Sequence, residues 1–179
     1  MIKMKKLMSL MLGLMVLLGV AVMAKGNANR NIIVDTQKYS LTDTQKEALV
    51  YMYQEEQLAR DVYIKLGEYW NARVFQNISR AEQQHMDAVK ALLDKYDIKV
   101  EVNAQGVFQS EEFQNLYNEL VKKGMENITE AYKVGRDIEI LDIKDLDERL
   151  KDVTPDMKSV FENLRSGSEQ HLKAFNRQL

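Results

Sequence analysis

Four stretches of this chain carry apolar side chains at alternating spacings of three and four residues, as on a helix face buried in a core. Each stripe is interrupted near its middle by polar groups. The first runs Leu49, Met52, Glu56, Ala59, Tyr63, Leu66; the second runs Phe75, Ile78, Glu82, His85, Val89, Leu92, Tyr96. The last runs Phe161, Leu164, Ser168, His171, Phe175. The third is less regular: Ala131 or Tyr132, then Gly135, then Ile138 with Glu139, then Asp142. The only two histidines of the chain, His85 and His171, both fall in this interrupted band.

The band restricts what the chain can fold into. A lone carboxylate in a helical core is strongly destabilising even after relaxation. Acids on three stripes and histidines on two need a common counter-charge, and a cation at their centre supplies it. Residues three apart on a helix share a face, so Glu82 and His85 can hold one ion together. Carboxylate-rich sites with two imidazoles suit iron or manganese and accept zinc.

The rest of the chain agrees with helices. One proline, eight glycines and 29% charged residues leave no alternating Val/Ile/Thr run that would argue for a sheet. Thr42 or Asp43 caps a first helix reaching about Gly67, and a second spans about Val74 to Tyr96. A Gly106-containing loop leads to a shorter helix from Ser110 to Lys123, stopped at Gly124. Asn127 or Thr129 opens a third long helix to about Leu141, followed by a separate short helix in "DIKDLDERLKDV". Pro155 opens the last long helix. The expectation is an all-α fold: a four-helix bundle over residues 41–179, with two short helices in the connections.

The N-terminal segment has its own pattern. Lys3, Lys5 and Lys6 precede an uncharged run from Leu7 to Ala24 that ends Val22-Met23-Ala24. This reads as a signal peptide over 1–24, then a polar linker over 25–40, and hence as an exported protein. The alternative is an uncleaved membrane anchor, since the run is just long enough to span. Cleavage takes three of the 25 basic residues and none of the 27 acids, leaving 22 against 27. That balance, with bases spread along the helices, argues against a nucleic-acid partner. The absence of cysteine excludes disulfides, thiol catalysis, thiolate zinc and iron–sulfur clusters. Six of the ten methionines lie in the first 24 residues, which weakens any copper reading.

Two motifs carry a resemblance. "EQLARDVY" (Glu56 to Tyr63) and "EQQH" (Glu82 to His85) resemble the first- and second-helix motifs of the ferritin-like superfamily, and within it the rubrerythrins. With "GVF", "VGRDIEILDI" and "FENLRSGSEQHLKAF", the stretch Leu41 to Phe175 also resembles the uncharacterised domain of unknown function 2202. The resemblance implies a ferritin-like bundle with a dimetal carboxylate centre, di-iron above all. The residues it carries over are Glu56, Glu82, His85, Glu139 and His171. It departs at the last helix, where a second Glu-x-x-His would need glutamate at Ser168. Glu169 is adjacent but points about 100° round the helix. Asp142, three after Glu139, either restores the missing oxygen donor or caps the short helix that follows. Glu55 competes with Glu56 from a slightly rotated stripe. Tyr63 and Tyr132 read as core tyrosines with a second option of lying against the centre, and Arg60 and Arg136 as surface pairs or partners of buried acids.

The functional expectation is an exported, ferritin-like metal-binding protein, an oxidoreductase toward oxygen or peroxide if iron or manganese is held. Its partners are metal ions and, lacking the cysteine-ligated iron of many rubrerythrins, an external electron donor; a homodimer is compatible with it. The alternative is a non-catalytic binding or structural module with a degenerate site, for which Ser168 is the motive.

Overall fold

The computed structural model describes residues 38–179. The expected signal peptide over 1–24, and all but the end of the expected linker, lie outside the described residues. Among the described residues there are five helices: α1 (Asp43–Trp70), α2 (Arg73–Lys95), α3 (Glu111–Gly124), α4 (Ile128–Arg149) and α5 (Pro155–Asn176). There is no strand among the described residues, so the expected all-α bundle stands.

The helix starts follow from local chemistry. Thr42 and Gln45 form a reciprocal capping box, with Gln45 N donating to Thr42 Oγ1 (3.2 Å) and Thr42 N to Gln45 Oε1 (3.1 Å). Asn127 caps α4 by accepting from Glu130 N at 2.9 Å, and Pro155 occupies the first turn of α5. Asn71 ends α1 in the left-handed region at φ 49°, which an asparagine tolerates, and allows the tight turn into α2.

One expectation is corrected. The chain does not break after Leu141; α4 continues unbroken to Arg149 and absorbs the separate short helix. Ile138, Asp142, Asp145 and Leu146 are all buried along it, so the inward face stays in phase through the acids. Only one short helix, α3, therefore sits in a connection, and Asp142 lies mid-helix with nothing to cap.

Cross-helix pairs fix the arrangement. Tyr63 meets Glu139 and Tyr51 meets Asp145, so α1 and α4 run antiparallel. His85 stacks on His171 while Lys95 pairs with Asp156, so α2 and α5 do too. With the α1–α2 and α4–α5 hairpins this gives a square of long helices, and α3 packs on the outer side of α1 and α4.

Two apolar layers fill the square. Toward the α1–α2 turn, Tyr63, Phe75 and Phe175 pack ring to ring at centroid distances of 5.2–5.9 Å. Gly135 makes room there, since a Cβ on it would stand 2.5 Å from the Phe175 ring. Toward the other end, Leu49, Met52, Met86, Val89, Leu93, Leu146, Met157, Phe161 and Leu164 form a larger cluster. Each fully buried large side chain contributes about 1.5–3 kcal/mol. The polar band is held between these layers.

Candidate metal centre

All four long helices supply the band: Glu56 from α1, Glu82 and His85 from α2, Glu139 and Asp142 from α4, and Ser168 and His171 from α5. Glu56, Glu82, Glu139, Asp142 and Ser168 are all buried. The two histidines form the outer wall, with side chains 13% and 12% exposed, rings stacked at 5.4 Å between centroids.

Glu82 is the hub. Its Oε2 lies 2.8 Å from His85 Nδ1 and its Oε1 lies 2.9 Å from His171 Nδ1. Beyond the hub, His85 Nδ1 lies 3.2 Å from Glu56 Oε2, and His171 Nδ1 lies 3.6 Å from Glu139 Oε2. The result is a chain of groups, Glu56–His85–Glu82–His171–Glu139, symmetric about one carboxylate. Ligand atoms of Glu82, His85 and His171 all lie within 4.8 Å of one another.

Proximity here is not the same as hydrogen bonding. Although His171 Nδ1 and Glu82 Oε1 stand 2.9 Å apart, neither has an aligned hydrogen-bond partner. Glu56 Oε1 and Asp142 Oδ1 are also buried without one. Buried polar atoms are rarely orphaned, and here several lie in one band.

Electrostatics follow from this crowding. Burial works against charge on the imidazoles, but the carboxylates beside them prevail: Glu56 and Glu82 raise His85 to about 11, and Glu139 and Glu82 raise His171 to about 10. Glu82 is buried too, yet the histidines hold it down at about 2. Glu56 and Glu139 are pushed up to about 8, first by burial, with the Glu82 charge adding to it. Burial first, then the charge of Glu56, raises Asp142 well above its ordinary value.

Neighbours hold the ligand-type groups in place. Tyr63, fully buried, donates to Glu139 Oε1 at 2.6 Å, so it does more than fill the core. Tyr132 stacks on Phe75 and belongs to the aromatic layer. Gly167 leaves space for the outer edge of His85; a Cβ there would stand 2.5 Å from His85 Nε2. Ser168 Oγ donates within the 2.5 Å that separates it from Asp142 Oδ2 and also lies 3.0 Å from Leu164 O. The position that lacks a glutamate thus holds an acid from α4 instead. Arg60 pairs with fully buried Asp61, whose other oxygen accepts from Gly106 N and pins the α2–α3 loop; Arg136 pairs with Asp137.

Glu55 and Glu56 are both buried, but they differ in their partners. Glu56 meets His85, while neither carboxylate oxygen of Glu55 has a hydrogen-bond partner; burial first, and then the charges of Asp142 and Asp145, push Glu55 well above its ordinary value. Asp145 was not among the expected site residues. Its three-residue spacing from Asp142 places both on one buried face only because α4 runs unbroken through them.

Comparison with known proteins gives relatives that are described as uncharacterised or hypothetical. The family described as "Uncharacterized protein domain (DUF2202)" matches residues 45–179. The uncharacterized protein MJ0754 of Methanocaldococcus jannaschii is 46% identical over 145 residues, spanning 79% of this chain and 78% of its own. The crystal structure of hypothetical protein MJ0754 from Methanococcus jannaschii superimposes with a TM-score of 0.78, covering 80% of this chain and 83% of that one.

Proposed function

This chain belongs to the uncharacterised DUF2202 family, and from that premise we propose that it is a metal-binding protein whose bundle core holds one or two first-row divalent ions. The observation that carries the reading is the geometry of Glu82, which turns one oxygen to each of the two histidines. A carboxylate so placed can serve two ions at once, with Glu56 and His85 on one side and Glu139 and His171 on the other. Asp142 is the remaining oxygen donor, with Oδ1 still free. The donor set fits iron or manganese, and zinc as a third option. Orphaned Glu56 Oε1, Glu82 Oε1 and His171 Nδ1 are the atoms such ions would satisfy.

The ferritin-like resemblance of the Glu56–Tyr63 and Glu82–His85 motifs supports the same reading. Iron or manganese bound there would supply redox chemistry toward oxygen or peroxide. The chain's own residues hold and prepare the site. Tyr63 fixes Glu139, Gly167 admits His85, and the aromatic and aliphatic layers keep water from either end. His85 and His171 must each give up a proton from Nδ1 to bind, so loading releases protons. The reading includes export, on the strength of the Lys3–Ala24 sequence pattern alone, and an external electron donor for any turnover.

A second reading keeps the bundle and drops the catalysis: a binding or structural module with a hydrogen-bonded polar core. The Ser168–Asp142 bond favours it, because it satisfies an acid without an ion. Metal analysis separates the two. After reconstitution with iron, manganese or zinc, the wild-type protein is expected to retain stoichiometric metal, and Glu82→Ala and His85→Ala to lose it. A wild-type protein without bound metal, with the same melting temperature with and without chelator, supports the second reading.

A further inference from the structure

Two rungs join α4 to α5 at the polar band. In the first, Glu139 Oε2 stands 3.6 Å from His171 Nδ1. In the second, three residues on along α4 and three back along α5, Asp142 Oδ2 accepts from Ser168 Oγ at 2.5 Å. Glu139 and Asp142 share one face of α4, as Ser168 and His171 share one face of α5, so the second rung lies beside the first. Asp142 is buried and Ser168 completely so. Ser168 Oγ also lies 3.0 Å from Leu164 O, which ties the hydroxyl to its own helix. Asp142 is held by one oxygen only. Its Oδ1 is buried without a partner. An aspartate gripped in this way presents its second oxygen in a fixed direction, as a single oxygen donor to an ion does.

The centre therefore falls into unequal parts. Ligand atoms of Glu82, His85 and His171 lie within 4.8 Å of one another, a set already gathered for one ion. A second ion has to draw on the acids around that set, and Asp142 is the one whose free oxygen is aimed by a neighbour on another helix. We infer that Ser168 is a positioning residue for this second ion: its hydroxyl fixes Asp142 Oδ2, so that Oδ1 stands as the donor that completes the ion's surroundings, and the centre loads in two unequal steps. The inference rests on the metal-binding reading above and adds to it an order of loading and a residue that sets it. Serine suits the position twice over. A glutamate at 168 would itself fill the space into which Asp142 reaches from α4. Serine leaves that space and supplies the bond; alanine would leave the space alone.

Manganese is the probe, because the EPR signal of the free aqueous ion is lost on binding and bound equivalents can be counted. Titrating the purified full chain with Mn2+ should show two ions per chain, the second held more weakly than the first. Ser168→Ala should weaken the second step about ten- to a hundredfold and leave the first in place. The retained first step shows that the variant is folded, since it needs side chains from both α2 and α5. Asp142→Asn should do the same. In the double variant the two losses should not add, because both remove one oxygen donor. A second step unchanged in Ser168→Ala, equal losses at both steps, or additive losses in the double variant overturn the inference. So does a wild-type chain that saturates at one ion. A wild-type chain that binds no ion overturns instead the metal-binding reading from which the inference starts.

Discussion

At the scale of single residues, the site depends on small groups that make room or hold a carboxylate still. Gly167 is the sharpest case. A methyl group there would stand 2.5 Å from His85 Nε2, so the ring must move off the line it shares with Glu82. Gly167→Ala is expected to weaken metal binding about tenfold or more, since ligand geometry tolerates little displacement. Competition with a chelator measures it; unchanged affinity would show that His85 is not a ligand. Tyr63→Phe removes the hydroxyl that donates to Glu139 and should cost the fold about 1–3 kcal/mol in chemical denaturation. A loss near zero would mean that this bond is not made in solution. The sequence located the groups themselves, because polar residues in an apolar stripe are visible at helical spacing. It did not display Gly167 as space for a ring or Ser168 as the partner of Asp142. Those are relations across helices, and a single-stripe reading contains only one side of each.

At the scale of elements, α4 is where sequence and structure part. Asp142 and Asp145 resemble a helix end, because acids cap helices and rarely line a core. The helix instead runs through them, and Leu146, fully buried one turn beyond Asp142, anchors its far end in the aliphatic cluster. Packing overrides local propensity here, and only on the unbroken helix do Asp142 and Asp145 share a buried face. The continuity is testable. Lys144→Pro places a proline in the helix interior and should cost about 3 kcal/mol or more. A hinge at that point would tolerate the proline with little loss, measurable in the denaturation midpoint. The remaining elements were legible because their capping signals are local: Thr42 with Gln45, Ser110, Asn127 and Pro155 all sit at observed helix starts or in their first turns.

At the scale of the whole molecule, the buried charges tie stability to pH and metal together. In the metal-free protein Glu56 and Glu139 are raised from 4.5 to about 8, and His85 and His171 from 6.5 to about 11 and about 10. All four hold protons more tightly when folded. The folded chain therefore carries more protons than the unfolded chain, and stability should fall as pH rises from about 5 to about 8. The two histidines contribute fully below 6.5, and their stabilisation is lost as pH climbs through their raised values. Glu82, lowered to about 2, acts in the opposite sense, but its contribution is complete above 4.5 and is lost only toward strong acid. Bound metal requires the same groups deprotonated, so the metal-loaded protein should gain stability over the same range. Opposite slopes of melting temperature against pH, with and without metal, are the expected pair of curves. Parallel curves would mean that metal and protons do not compete for these groups.

The central claim is that carboxylates and imidazoles from separate helices share an ion inside the bundle. Anomalous diffraction from crystals loaded with iron, manganese or zinc, collected at the metal edge, tests it most directly. The account predicts a peak in contact with Glu82 and with Nδ1 of His85 or His171, absent from Glu82→Ala crystals. A well-ordered map with Glu82, His85 and His171 in place and no peak among them, or peaks confined to surface acids, would contradict it.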